Sequence, residues 1–134
     1  MSPEERWIAV LMADMSLQDA LGYAVRERLF AMRAPAMIGP PLIVWQVAPS
    51  SFSADLDGEA MVRRAVQVDI YAESYRQTAA ISGAIRALTH NYAWADDGTR
   101  GAILNAAVES ETDSFDPESG VARRILDLRL LARD

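Results

Sequence analysis

Few residue types in this chain could do chemistry, and their spacing decides of what kind. His90 is the only histidine and there is no cysteine, which excludes thiol nucleophiles, disulfides and thiolate metal sites. A transition-metal site would then need carboxylates nearly alone. The candidates are Glu109, Glu111, Asp113, Asp116 and Glu118. Their alternation could suit a divalent cation, and a metal-dependent enzyme on Glu109, Glu111 and Asp113 is the furthest reading of it. The turn glycine and closing glutamate of a calcium loop are misplaced, however. The plainer reading is the solvated face of a strand running into a turn. No serine sits in a nucleophile elbow, and no glycine-rich loop joins a strand to a helix. His90, beside Asn91 and Tyr92, reads as a positive group suited to a helix C-terminus rather than as a base. The chain is therefore expected to be neither an enzyme nor a cofactor or metal carrier.

Two basic pairs remain, Arg63-Arg64 and Arg123-Arg124, each entering a predicted strand. Arginine forks bind carboxylates bidentately, so either pair could clamp acidic residues of a neighbouring subunit. The alternative is a cross-strand pair within one hairpin, with Arg123 or Arg124 opposite Glu109 or Glu111.

Composition bounds the rest. The chain has 134 residues, 51% hydrophobic and 24% charged, which suits one globular domain hiding roughly 68% of its unfolded surface. All 13 basic residues are arginine and the net charge is −6. Schiff-base chemistry is excluded, and there is no broad electrostatic footprint for nucleic acid or anionic lipid. DNA could still pass such a surface without sticking. No apolar run reaches the ~20 residues of a membrane span. The acidic start lacks the basic lead of a signal peptide, so a cytosolic beginning is expected.

The elements that must position these residues follow from punctuation and period. Ser2, Pro3 and Glu5 form a capping box opening a helix over 3–14, with Trp7, Ile8, Val10 and Leu11 on its apolar stripe. Ser16 with Asp19 is expected to cap a second helix carrying Leu17 and Leu21, which Gly22 weakens; residues 25–31 could be helix or strand. After Pro40-Pro41, the run from Leu42 to Val47 reads as a buried strand. Residues 49–60 are polar and acidic, a long flexible connection of the sort that often carries function. Val66, Val68 and Ile70 alternate with Gln67 and Asp69 in a half-exposed strand. Ser74 and Gln77 cap a helix with Ile81, Ala84, Ile85 and Leu88 facing the core. Asp96, Asp97 and Gly98 break the chain; strands follow around Leu104, Ala106 and Val108, and around Leu126, Leu128 and Leu130, with a turn over 113–120. Trp7, Trp45 and Tyr71 are most simply core aromatics. The order ααββαββ predicts an α+β fold: an antiparallel, mixed-edge sheet of about four strands with helices packed on one face.

This layout resembles the tail-completion, or tail-terminator, proteins of long non-contractile-tailed phages. The likeness spans nearly the whole chain. It is carried by the N-terminal helix, the small helix around Leu17 to Leu21, Arg28-Leu29-Phe30, and Pro41-Leu42-Ile43-Val44-Trp45-Gln46. It continues through Val66-Gln67-Val68-Asp69-Ile70-Tyr71-Ala72 running into the helix near Ser74, then Glu111 to Pro117, Gly120 and Leu126-Asp127-Leu128-Arg129. Val25 to Met32 reads as less extended than in family members. The resemblance implies a homohexameric ring on the last ring of the tail tube. Such a ring ends tube polymerisation, offers a second face to head-completion or neck proteins, and lets DNA through its hole. The place implied is the head-proximal end of the virion tail, reached from the host cytoplasm. The candidate contact residues are Ser51, Phe52, Asp55, Asp57 and Glu59 in the 49–60 segment, Arg63 and Arg64, and Glu111, Asp113, Arg123 and Arg124. Two other readings stay open: a neck or minor tail protein of similar fold, and a small dimeric ligand-binding or regulatory domain with a concave apolar pocket.

Overall fold

The structure, a computed structural model, describes residues 3–48, 52–56, 59–90, 92–94 and 103–133. Helix α1 (Pro3–Met12) opens the chain and buries Trp7, Ile8 and Leu11. Ser2 lies outside the described residues. Helix α2 (Met15–Leu21) begins two residues earlier than the Ser16 cap predicts: Asp14 is the N-cap, and its carboxylate accepts from the Leu17 amide at 2.8 Å. Aspartate caps as well as serine. Gly22, at φ 76° with its amide on the Gln18 carbonyl, terminates α2 rather than weakening it. The open stretch 25–31 is both things in turn, a single helical turn α3 (Val25–Arg28) and a short strand β1 (Leu29–Ala31).

The strands that follow are β2 (Leu42–Val47), β3 (Phe52–Leu56) and β4 (Glu59–Ala72); after helix α4 (Tyr75–Thr89) come β5 (Tyr92–Trp94), β6 (Ile103–Asp116) and β7 (Val121–Arg133). They form one sheet in the order β1-β2-β4-β7-β6-β5, with β3 paired to β4 off this path. Only β1–β2 is parallel. The fold is the α+β class expected, and β2, β4, β6 and β7 are its four expected strands. Three short strands extend them. Asp96, Asp97 and Gly98 lie outside the described residues.

The 49–60 segment is where the sequence reading needs correction. It is no irregular connection, because Phe52 to Leu56 pairs with Arg63 back to Glu59. Leu56 faces Glu59 in register; Asp57-Gly58, between them in sequence, lies outside the described residues. That dipeptide is among the strongest hairpin signals, and the surrounding polarity masks it.

The alternation within β4 and β7 places the core. Val66, Val68 and Ile70 with Leu126, Leu128 and Leu130 are all at most 2% exposed, and they meet Ile81 and Ile85 of α4 and the buried face of α1 and α2. Ala84, Leu88 and Trp45 pack at its margin. Tyr71 departs from expectation: it is one step out of phase with Ile70 and lies on the opposite, half-exposed face. Across the core, the Trp7 indole N–H donates to the Thr89 hydroxyl at 2.9 Å, fastening α1 to the last turn of α4. Ser74 caps α4 as predicted, accepting from the Gln77 amide at 3.1 Å.

Candidate assembly surfaces

Strand alternation sends adjacent residues to opposite faces, and this breaks up both arginine pairs. Arg64 turns to the helix side, its Nε 3.7 Å from the Glu4 carboxylate, while Arg63 is exposed on the other face. Arg123 lies on the open face, where it donates to Asp69 at 3.0 Å beneath the Tyr71 ring. Burial pushes the Tyr71 phenol up, with Arg123 pulling the other way and Asp69 adding to the rise. Arg124 turns to the helix side and is 8% exposed. Its fork grips Asp113 through Nε at 2.6 Å and Nη2 at 3.2 Å, and its plane lies 5.3 Å from the Tyr75 ring centre. The hydrogen bonds it donates to Asp113 hold this guanidinium above its ordinary value.

A cross-strand pair inside one hairpin is therefore what Arg124 makes, but to Asp113, not Glu109 or Glu111. The cause is a break in register between Val108 and Ser110. The extra residue of a bulge inverts the facing of everything after it. Ala106 and Val108 face the helices before the bulge; Glu111, Asp113 and Phe115 do so after it. The five carboxylates consequently do not share one row. Glu109 reaches Arg129 at 3.3 Å, Glu111 pairs with Arg86 and accepts from the Ser82 hydroxyl at 2.7 Å, and Asp113 holds Arg124. Each of the three carboxylates proposed for a cation is committed to its own arginine.

Asp116 and the turn after β6 are held locally. Its two oxygens accept from the Glu118 amide at 3.0 Å and the Ser119 hydroxyl at 2.9 Å, and Gly120 completes the turn at φ 72°. The Ser119 and Glu118 bonds lower the carboxyl's pKa. A lowered carboxyl stabilises the fold above its unfolded value, about 3.9, and loses that contribution as pH falls through the folded one. Asp116→Asn is thus expected to lower Tm at pH 7, and the gap from wild type should close as melting is repeated at progressively more acid pH. A gap unchanged by acid would remove the charge from the explanation.

His90 also differs from expectation. Its backbone ends α4, but Nδ1 accepts the Val108 amide at 3.1 Å. That bond ties the end of α4 to β6.

The candidate residues of the 49–60 region fall on one arm. Phe52, Asp55, Glu59 and Arg63 belong to the β3–β4 hairpin, with Phe52 opposite Arg63; Ser51 and Asp57 lie outside the described residues. The arm extends past the end of β2, which pairs only with Val66 to Tyr71 of β4. At the far end of the sheet, Phe115 and Tyr75 stand 62% and 63% exposed. A cleft of about 390 Å³ opens where residues 32–40 cross the open sheet face, lined by Met32, Ile38, Leu42, Val44 and Tyr71. Its carboxylate, Asp69, is already held by Arg123.

Sequence reasoning missed Glu4, Asp69, Ser82 and Arg86 as partners. Their pairings span from 25 to 60 residues of chain and leave no local signal.

The described surface thus carries arginines tied to carboxylates, the β3–β4 hairpin and two exposed aromatics, Phe115 and Tyr75. The chain belongs to the tail completion protein gp17 family, whose sequence model matches residues 6–133. It is accordingly a phage tail structural protein, a virion component and not an enzyme. Among solved structures, a chain from the virion of a native gene transfer agent particle has the same fold: TM-score 0.74 at 12% identity, covering 96% of this chain and 92% of that one. No curated protein matches the chain in sequence.

Proposed function

We propose that this protein is a tail terminator: six copies form a ring on the last ring of the tail tube, stop its growth and present a second face to the head-completion or neck proteins. The observation that carries this is the family match, which runs through the whole folded chain rather than through one segment. The chain acts as a single domain, residues 1–134. The mechanism is unequal faces. One ring face copies the docking surface of a tube subunit, and the other lacks what recruits the next. The ring sits at the head-proximal end of the tail and is built in the host cytoplasm. A net charge of −6 keeps DNA passing through the hole from adhering.

The β3–β4 arm, with Ser51, Phe52, Asp55, Asp57, Glu59 and Arg63, reaches the neighbouring subunit or the tube. Arg64 braces the arm's root against α1. Glu111, Asp113, Arg123 and Arg124 stiffen the β6–β7 hairpin that carries Phe115. Removing residues 51–58 is expected to leave a folded protein that no longer caps, giving tubes of uncontrolled length by electron microscopy. Capping at normal length by that variant would take the arm out of the contact. Light scattering on the intact chain tests the ring itself: six copies of 14.7 kDa, about 88 kDa, are expected. A dimer that never grows would favour a regulatory domain instead.

A further inference from the structure

The sheet ends differently on its two sides. On one side β5 pairs with β6 only at Ile103 and Ala106, and the Val108 amide is taken by His90. Beyond that, Glu109 to Asp116 has β7 on one flank and, among the described residues, no strand on the other; every residue from Glu109 to Gly120 is exposed. This is a long open edge, the kind of backbone template natural proteins either blunt or use. On the other side the outermost strand is β1, whose only strand partner among the described residues is β2.

The two edges carry opposite charge. Residues 109–118 contain five carboxylates and no cation, of which Glu109, Glu111 and Asp113 are paired with Arg129, Arg86 and Arg124, whereas residues 25–33 contain three arginines and one glutamate. Arg26 and Arg33 are exposed and have no carboxylate partner among the described residues. Asp116 and Glu118 likewise face no arginine there. We infer that the acidic edge of β6 in one copy pairs with the arginine-flanked β1 edge of the next copy, running the sheet across the subunit boundary. This rests on the ring reading and supplies its contact.

Electrostatics chooses this pairing over the symmetric ones. Two β6 edges face to face would set carboxylate against carboxylate, and two β1 edges arginine against arginine, both destabilising across strands. The mixed pairing is the one in which charges complement. Its strand sense fits as well. Along the sheet β1 runs with β2, against β4, with β7 and so against β6. A copy rotated about an axis along the strands therefore offers β1 antiparallel to β6, the better-bonded arrangement. Because two different edges meet, the contact is head-to-tail, the type that generates closed rings.

The test uses the full chain with Arg26→Glu/Arg33→Glu, Glu109→Arg/Glu118→Arg, and all four changes together. All four sites are exposed, and melting curves check that each variant folds. Native mass spectrometry over a concentration series reads the assembly. Wild type is expected to assemble, each double variant to lose at least tenfold in assembly midpoint, and the fourfold variant to recover, since its reversed edges again attract. A wild-type ring indifferent to all three sets of changes would overturn the edge pairing and leave the ring standing. Monomers throughout, at every concentration, would overturn both. A mixture of the two double variants is expected to assemble again as alternating copies, because both edges of one variant complement both edges of the other; a mixture that stays as unassembled as each variant alone would count against the edge pairing.

Discussion

Trp7→Ala is expected to cost about 3–5 kcal/mol, the range for deleting a large aromatic from a packed core. Trp7 is fully buried in the cluster where α1 meets α4 and the sheet, so little can collapse into the space left behind. The substitution also strips the donor from Thr89, whose side chain is itself buried. Set against a domain stability of roughly 5–15 kcal/mol, that is a large fraction, and about 10 °C or more of Tm at this chain length. Trp7→Phe separates the two contributions. It keeps most of the aromatic volume but loses the N–H with the rest of the five-membered ring, so a smaller penalty follows, of which the unpaired hydroxyl contributes about 1–2 kcal/mol. Urea unfolding of both variants measures the difference. Equal losses would mean that the indole contributes through its hydrogen bond and not through packing, contrary to the core described above.

Trp7 also shows what a sequence can and cannot disclose. Its burial was legible, because Trp7, Ile8 and Leu11 fall on one helical stripe and only an amphipathic helix explains them. The same holds for Val66-Val68-Ile70 and Leu126-Leu128-Leu130, where a period of two names the buried face. Thr89 as its partner was not legible, since 82 residues separate the two and a threonine near a helix end announces nothing. The β3–β4 hairpin was not legible: the polar, acidic composition of 49–60 argued for a flexible connection, whereas Phe52 to Leu56 pairs with Arg63 back to Glu59. The acidic stretch failed for another reason. One inserted residue at Val108–Ser110 reversed the facing of Glu111 and Asp113, and a bulge depends on what the neighbouring strands demand, not on the strand's own composition. Hence the arginine pairs were found and their partners were not.

The largest consequence of that bulge is energetic, and it can be measured at Asp113. Asp113→Ala leaves Arg124, with its side chain 10% exposed, without the carboxylate that holds both ends of its fork. A hydrogen-bonded charge pair of this kind contributes about 1.5–3 kcal/mol; because Asp113 is itself 45% exposed, the lower half of that range is expected after solvent screening. Arg124→Met in the Asp113→Ala background should recover much of the loss. The thioether keeps the stem packed beside Tyr75 and no longer requires a counter-charge, and breaking one partner of a sheltered pair generally costs more than replacing both. The double-mutant cycle is therefore expected to show a coupling of about 1 kcal/mol or more. Additive losses would mean that the two side chains stabilise the hairpin independently. Hydrogen exchange gives the local counterpart: in Asp113→Ala, protection should fall first in β6 beyond Glu111 and in the facing residues of β7, while Val66 to Ile70 stays protected. That order follows from where the pair sits, past the last strong contact of α4 with β6 at Glu111, where the hairpin relies on its own cross-strand bonds to hold Phe115 in place.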